Sequence, residues 1–469
     1  MSKRILLINP WIYDFSAYDF WMKPIGLLYM GSYLRKNGLD VQLIDCLDSG
    51  ALDFISPGEL KRPARKQGGQ GKFIKEKVAN PEALASIPKP YHRYGIPHHA
   101  LIRILKGAEK PHLILITSMM TYWYPGVFDV ISLVKDIFPG VPVILGGIYA
   151  TLCGDHALRA GADHVLPGPG ERHMSFIMND ILGGTVHFLP DEHDLDHLPY
   201  PAFDLLPAPE QVPLLTSRGC PFRCTYCASR LLNSCFDRRD PILVVDEMVY
   251  WQEKLGVRNF SFYDDALLID PQEMAIPMLK EIIHRKLDAH FHCPNGLHIR
   301  EITPEIANLL YQAGFRTIRF GLETTHEQRQ QEMGGKVDNS AFERAAAYLQ
   351  EAGYTGNDIG VYLLCGLPGQ TAREIRESIL YVHARGAKPI LAEYSPLPGT
   401  SLWDDALRAS SYSLEEEPLY HNNSLLPCAS PSLTTETYHE LKRLTRQPFL
   451  KLPNGLPGKE EDNGGYFSG

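Results

Sequence analysis

Three cysteines stand in one short run, Ser217-Arg218-Gly219-Cys220-Pro221-Phe222-Arg223-Cys224-Thr225-Tyr226-Cys227. The spacing is C-x3-C-x2-C, with an aromatic residue directly ahead of the last cysteine. Three thiolates can hold three irons of a [4Fe–4S] cube, which normally takes four Cys ligands. The fourth iron is then left open for a substrate. A structural zinc site usually takes four ligands, often as two CxxC-like pairs. No second pair lies nearby: Cys235 is alone in its stretch and Cys293 is far along the chain. A disulfide framework fits badly, because nine cysteines in 469 residues is not the density of a stapled secreted domain.

This spacing resembles the signature of the radical S-adenosylmethionine (SAM) superfamily. The resemblance implies that Cys220, Cys224 and Cys227 ligate the cluster. It implies that the open iron chelates the amino and carboxylate groups of SAM. An electron from the reduced cluster then cleaves the sulfonium and releases a 5′-deoxyadenosyl radical, chemistry that belongs to the cofactors. Tyr226 occupies the position whose ring lies near the adenine. A reductant such as flavodoxin or ferredoxin is the expected electron source.

A cluster loop needs a scaffold, and the composition allows a large one. The chain is 44% hydrophobic and 22% charged, and its length suggests two or three domains. No apolar segment approaches the roughly 20 residues of a spanning helix, and no signal-peptide pattern opens the chain. A cytoplasmic, reducing location is therefore expected, as an oxygen-sensitive cluster requires. With 46 basic and 55 acidic residues the net charge is −9. That argues against nucleic acid as the main partner, since phosphate binding needs a basic face.

The N-terminal half alternates strands and helices. Ile5–Ile8, Val41–Ile44, His112–Ser118, Val141–Leu145 and Asp163–Leu166 read as buried parallel strands. Residues 25–37 carry helical spacing and stop at Gly38. Such alternation implies βαβ units and a doubly wound sheet, with ligands at the carboxyl ends of the strands. Residues 51–100 interrupt the plan: basic, Pro- and Gly-rich early, aromatic and His-rich late. They read as an insertion, either a mobile surface loop or a lid over a ligand. His92, His98 and His99 read as solvated loop residues.

This half resembles the cobalamin-binding domain that precedes the barrel in the B12-dependent radical SAM subfamily. The matching pieces are Ile5–Pro10, the turn Ser118-Met119-Met120-Thr121, the run Gly146-Gly147-Ile148-Tyr149-Ala150-Thr151, and Gly168-Pro169-Gly170-Glu171. The resemblance places Ser118, Thr121, Gly146, Gly147, Thr151 and Gly170 close to the corrin and its nucleotide tail. Glycines let backbone approach a bulky ligand, and small hydroxyls bond its polar parts. One departure matters. Mutase-type cobalamin domains carry Asp-x-His-x-x-Gly after the first strand, and its His becomes the lower cobalt ligand. Here that place reads Asn9-Pro10-Trp11-Ile12-Tyr13-Asp14, so a bound corrinoid should lack a His ligand. The opposing reading is a flavodoxin-like fold that has kept its shape and lost its ligand.

Six prolines between 185 and 213 disfavour long helices and read as an interdomain connection. From Val212 the alternation resumes, with strands at Val212–Ser217, Asn259–Tyr263, His290–Cys293, Thr317–Gly321, Asp358–Leu364 and Pro389–Tyr394. Six βα units fit the partial TIM-like barrel of radical SAM enzymes, whose active site collects at the strand C-termini. The resemblance assigns SAM contacts to Asp264 and Asp265 after the second strand, to Glu323 after the fourth, and to Gly366 after the fifth. The remaining cysteines show no paired spacing, and free Cys is commonly buried and inert; Cys293 and Cys365, at strand ends, are the two that could face the cavity.

The expected organisation is therefore α/β throughout. A Rossmann-like cobalamin-binding-type domain (1–184, insertion 51–100) leads through a linker (185–211) to a partial (β/α)6 radical SAM core (212–405). A C-terminal extension (406–469) carries a helix at 436–446 and a glycine-rich tail expected to be disordered. The expected activity is a 5′-deoxyadenosyl radical reaction with cobalamin-dependent methyl transfer to an unactivated carbon of a small molecule or peptide. The competing classes are a B12-containing cyclase or rearrangement enzyme, a radical methylthiotransferase and a non-catalytic iron–sulfur protein. A methylthiotransferase usually needs three more N-terminal cysteines, and only Cys46 and Cys153 are present there.

Overall fold

The structure is a computed structural model that describes residues 2–48, 63–66, 68–183 and 193–447. Two parallel sheets organise it. The first has five strands in the spatial order Asp40–Asp45, Arg4–Asn9, Leu113–Ile116, Val143–Leu145, His164–Val165. Strand order reverses between Arg4–Asn9 and Leu113–Ile116, which creates the crevice where doubly wound sheets take ligands. Both faces are covered. Ile5 and Leu7 face helices Ile25–Lys36 and Gly170–Leu182, while Leu6 and Ile8 face His98–Gly107 and Tyr124–Ile137. The alternation explains why these strands are apolar on both sides and legible as runs.

The second sheet has six parallel strands whose spatial order follows the chain: Gln211–Leu214, Asn259–Phe262, His290–His292, Phe315–Glu323, Ile359–Cys365 and Lys388–Glu393. Helices Pro241–Leu255, Ala275–His284, Pro304–Ala313, Asn339–Glu351 and Ala372–Ala384 separate them. This is the expected open (β/α)6 barrel. The first strand is shorter than expected. Thr216 and Ser217 leave the sheet to bond elsewhere, and Ser217–Arg218 pairs antiparallel with Asp237–Arg238.

The segment 51–100 departs from the expected loop or lid, as far as it is described. Ile12–Asp14, Lys75–Val78 and Tyr91–Tyr94 form a three-stranded antiparallel sheet. Tyr91, Leu84 and Phe15 are buried beneath it together with Leu419 from the far end of the chain. Aromatic and apolar residues at 73, 84, 91, 94 and 96 are buried rather than solvated, and His98 stacks on Trp11 with ring centroids 5.2 Å apart. The basic early part, 51–62, lies outside the described residues. In the proline-rich connection the described part holds single 3-10 turns, Leu195–His197 and Phe203–Leu205. It is packed: Phe203 and Leu206 join the barrel core with Leu28 of the N-terminal half.

The C-terminal extension returns to the first domain. The His421 imidazole donates from Nε2 to the Leu414 carbonyl (2.8 Å) and accepts at Nδ1 from Thr121 (3.0 Å). Asn422, fully buried, donates to Asp14 Oδ1 at 2.9 Å. Asp14 also accepts from the Trp123 indole at 2.8 Å. Helix Thr435–Leu444 lies on Ala372–Ala384 and matches the expected position; the tail from 448 lies outside the described residues. Among the described residues no helix is long and apolar enough to cross a membrane.

Burial raises the Asp14 pKa against the pull of its donors, so each donor lost is felt. Asn422→Ala should destabilise the protein by about 1–3 kcal/mol, the cost of a buried charged acceptor losing one donor. Asn422→Asp should cost more at pH 7, because two buried carboxylates then face each other, and should recover as pH falls and one of them protonates. Denaturant midpoints at pH 5 and pH 8 check both; equal midpoints for wild type and Asn422→Ala would refute the clasp.

Candidate functional site

The cysteine loop leaves the C-terminal end of the first barrel strand. Its anchor is Asp264, which directly follows Tyr263 at the end of the second strand. Asp264 Oδ1 accepts from the Thr216 backbone N–H (2.9 Å), the Thr216 hydroxyl (2.7 Å) and the Ser217 hydroxyl (2.7 Å). Its other oxygen, Oδ2, is buried without any partner. Burial outweighs these bonds and pushes the carboxyl up to about 6. Gly219 then turns the chain at φ +82°, where a Cβ would overlap the Cys235 carbonyl oxygen.

Cys220 and Cys224 are half-buried and Cys227 is exposed. Burial pushes the Cys220 thiol up to about 11, so metal binding there must release protons. Among the described residues no three His, Cys, Asp or Glu converge on a point that could hold a single metal ion. A tetrahedral zinc site requires such convergence. A cubane does not, because each thiolate takes its own iron. Three thiolates on one loop are the donor set that a cubane takes, one iron each.

Tyr226, just ahead of Cys227, donates its hydroxyl to Glu323 Oε1 at 2.8 Å. Lys336, from the loop after helix Glu327–Glu332, closes a triangle. Its ammonium lies 2.8 Å from Glu323 Oε1 and 3.1 Å from the Tyr226 hydroxyl. Glu323 and the Cys224 and Cys227 sulfurs raise the Lys336 pKa against desolvation, the largest influence. Glu323 sits at φ +67° where strand register shifts, a conformation that costs a non-glycine residue about 1–3 kcal/mol and is commonly kept for function. Gly366 (φ +87°) turns the end of the fifth strand, its N–H held by Gln370 Oε1 at 2.9 Å.

A cavity of about 630 Å³ lies between the strand ends of the two sheets. Gly146, Gly147, Thr151 and Gly170 line it from the first domain, and Asp265 and Tyr263 from the barrel. Thr151 donates to the Gly147 carbonyl (2.8 Å) and accepts from the Gly168 N–H (2.9 Å). Gly147 is required by the chain itself: at φ +96° its Cβ would overlap the Ser118 backbone. Gly146 is not. Its Cβ would meet only the Leu166 carbonyl, at 3.7 Å, and its φ is ordinary. Nothing in the chain explains the missing side chain there, whereas a bulky ligand in the cavity does. No histidine lines this cavity among the described residues, which fits a corrinoid without a His ligand. Trp11 fills the place of the absent motif and donates to the Ile96 carbonyl at 2.7 Å.

The expected site residues thus separate into groups. Asp265, Gly146, Gly147, Thr151 and Gly170 meet at the cavity, and Tyr226 meets Glu323. Asp264, Ser118 and Thr121 turn inward instead. Ser118 Oγ donates to the Gly146 carbonyl at 2.7 Å and Thr121 holds His421, so these small hydroxyls brace the turns. Cys293 and Cys365 are buried, with thiols raised by desolvation, Cys365 to about 12. Sequence reasoning missed Lys336 and the ion pair of Arg218 with Glu171, 2.9 Å, which joins the cysteine loop to the first domain. Arg218 also lies over the Tyr29 ring at 5.4 Å. The Met333-Gly334-Gly335-Lys336 turn was the available signal for Lys336; nothing local pointed to Glu171 as a partner.

Comparison with known proteins matches both halves of the chain. The family model for the radical SAM superfamily matches residues 214–382, and that for the B12 binding domain matches residues 91–175. An uncharacterised methyltransferase of Pyrococcus horikoshii is 24% identical over 387 residues, covering 75% of this chain and 79% of that one. The cytidylyl-2-hydroxyethylphosphonate methyltransferase of Streptomyces wedmorensis is 21% identical over 486 residues, covering 89% and 84%. The fold is similar to that of the radical SAM methyltransferase TsrM from Kitasatospora setae with cobalamin and a [4Fe-4S] cluster bound. The TM-score is 0.66 at 16% identity, over 99% of this chain and 93% of that one. The chain belongs to the radical SAM superfamily, with a B12 binding domain ahead of its radical SAM domain.

Proposed function

We propose that this chain is a cobalamin-dependent radical SAM methyltransferase that methylates an unactivated carbon. One observation carries the reading: Ser217, Arg218 and Gly219, directly ahead of the cysteines, and the glycine turns of the first domain line one cavity. When bound, the cluster supplies the electron that cleaves SAM, and the corrinoid supplies the methyl group. Cys220, Cys224 and Cys227 would hold three irons. Asp265, which lines the cavity, suits the ammonium of SAM, and the buried Asp264 beside it holds the start of the cysteine loop in position. Tyr226, Glu323 and Lys336 form a rigid polar wall next to the cysteines, and Gly366 leaves room at the fifth strand. Gly146, Gly147, Thr151 and Gly170 would form the corrin's floor, with Ser118 and Thr121 holding the turns beneath.

We assign residues 1–184 to the corrinoid domain, with the insertion at 51–100, and 185–211 to the linker. Residues 212–405 form the radical SAM core and 406–469 the C-terminal extension. A small molecule or peptide as substrate, a flavodoxin- or ferredoxin-type reductant and a cytoplasmic location complete the reading. The acidic net charge continues to argue against nucleic acid.

The direct test is an anaerobic assay of cluster-reconstituted, corrinoid-loaded protein with its substrate. 5′-Deoxyadenosine and S-adenosylhomocysteine should accumulate in comparable amounts, and Cys220→Ala/Cys224→Ala/Cys227→Ala should lose both the iron and the deoxyadenosine. Deoxyadenosine without S-adenosylhomocysteine would remove methyl transfer and leave a cyclase or rearrangement. Gly146→Leu should cut corrinoid binding, followed by absorbance, at least tenfold while leaving Tm within about 2 °C; undiminished binding would displace the corrinoid from this cavity.

Asp264 supplies a pH test. Its folded pKa, about 6, lies above the usual 3.8. The charged form is therefore disfavoured in the fold, and the cost is fully present above pH 6 and absent below pH 3.8. Compared with Asp264→Asn, the SAM-free wild type should gain on the order of 3 kcal/mol as pH falls from 7 to 4. The same variant should bind SAM at least tenfold more weakly at pH 7.5. A parallel pH dependence in both proteins, or unchanged SAM affinity, would contradict this role.

A further inference from the structure

The turn Met333-Gly334-Gly335-Lys336 is pressed onto the cysteine loop. Gly334 stands at φ +106°, and a Cβ there would lie 3.0 Å from the Arg223 carbonyl oxygen and 3.4 Å from the Cys224 Cα. Gly335 follows at φ +59°. Two glycines in succession bring the backbone closer to the loop than side chains would permit. The Thr225 N–H, within the loop, points to the Met333 carbonyl at 3.4 Å. Both flanks of the turn are fixed. On one side the buried Gln330 donates to the Thr324 carbonyl, next to Glu323, at 2.7 Å. On the other, Val337 joins the barrel core, and Asp338 caps helix Asn339–Glu351 by accepting from the Ala341 N–H at 2.8 Å. Lys336 therefore leaves a turn that is held at both ends.

Its side chain is mostly buried, with 21% exposed. The ammonium bonds Glu323 and the Tyr226 hydroxyl and lies 5.8 Å from the centroid of the Tyr226 ring. Tyr226 is one of the two residues between Cys224 and Cys227, so the cation is fixed beside two of the three cysteines. Glu323 is its counter-charge but does not cancel it at the sulfurs. The Tyr226 hydroxyl donates to the same Oε1 that Lys336 holds and draws off part of the carboxylate's charge. Burial raises the Cys224 thiol most, and against it Lys336 pulls down harder than Glu323 pushes up. At Cys227 burial again pushes up, and Lys336 again pulls down. The positive end of the Tyr226–Glu323–Lys336 triangle is the end felt by the cysteine loop.

We propose that Lys336 sets the reduction potential of the cluster held by Cys220, Cys224 and Cys227, raising it so that the external reductant can load its electron. The inference rests on the radical SAM reading of those cysteines and not on methyl transfer. In the loading step the reductant loses one electron and the cluster gains it, becoming more negative by one charge. A fixed cation nearby favours the more negative state, and does so more strongly in dry surroundings than in water. Cluster potentials respond to charge, to hydrogen bonds at the sulfurs and to exposure. Lys336 supplies the first of these, through its field on the thiolates, and itself transfers neither proton nor electron.

The test is a redox titration of the full-length, cluster-reconstituted protein without SAM, followed by the EPR signal of the reduced cluster, with iron counted in each variant. Lys336→Met should shift the equilibrium toward the oxidised cluster at least tenfold, which is 59 mV for one electron. Lys336→Arg keeps the charge and should restore most of that shift. Glu323→Gln should move the potential the opposite way, because the cation then stands without its counter-charge. Opposite shifts from two partners of one bonded triangle are what a charge effect requires. An ion pair that only braces the turn would loosen the loop when broken from either side and shift both variants alike. Equal potentials in wild type and Lys336→Met, or shifts of one sign in Lys336→Met and Glu323→Gln, would overturn the inference. Should Lys336→Met hold fewer than about four irons, Glu323→Gln decides alone, and an unchanged or lowered potential there overturns it. Wild-type protein that cleaves SAM, with variants that fail these shifts, would lose the inference and keep the radical reading. Opposite shifts in protein that cleaves no SAM would keep the tuned cluster and remove the radical chemistry.

Discussion

A single carboxylate oxygen sets where the cysteine loop begins. Asp264 Oδ1 receives three donors from Thr216 and Ser217, so the first and second barrel strands are tied together immediately ahead of the cysteines. The tie works because it is dry: a fully buried acceptor gains strength from its low-dielectric surroundings. The same dryness leaves Oδ2 exposed to no solvent and bonded to nothing. The protein tolerates one half of a carboxylate in an unfavourable state to hold the other half in place. That is the pattern expected where stability is given up for a ligand.

From that tie the organisation spreads outward in two directions. Toward the first domain, Arg218 reaches Glu171 at the start of helix Gly170–Leu182, so the turn under the cavity and the loop over it share one ion pair. Toward the rest of the barrel, Tyr226 reaches Glu323 and Lys336. Neither link need be strong in net terms alone, since burying a charged pair costs much of what its attraction returns. Together with the packed connection through Phe203 and Leu206, they hold the two strand-end surfaces at one separation. A cavity shared by two reactants would depend on that fixed spacing.

Much of this was legible in the order of residues. Runs such as Ile5-Leu6-Leu7-Ile8 and Leu113-Ile114-Leu115-Ile116 read as strands because parallel strands covered on both faces carry no alternation. The cysteine spacing was specific because few chemistries want three thiolates without a fourth. What stayed hidden depended on contacts distant in sequence or on side-chain direction. Ser118, Thr121 and Asp264 were expected to face ligands, but a polar group at a strand end can face a ligand or brace a turn, and only packing decides. The aromatic part of the insertion resembled a loop because its short strands find their partner at Ile12–Asp14, some 80 residues earlier.

The clasp between Asp14 and Asn422 spans 408 residues of chain. At synthesis rates of about 5–20 residues per second, Asp14 leaves the ribosome on the order of 20–80 s before the residue that completes its shell. During that interval nothing from the C-terminal extension covers it, so it remains solvated and ionised at little cost. The desolvation penalty arrives only with the donor that offsets it. The first domain is thus free to fold as it emerges, while its final closure waits until the chain has been translated past Asn422, and a product truncated before that residue is left with an open, hydrated seam at Phe15, Tyr91 and Trp123.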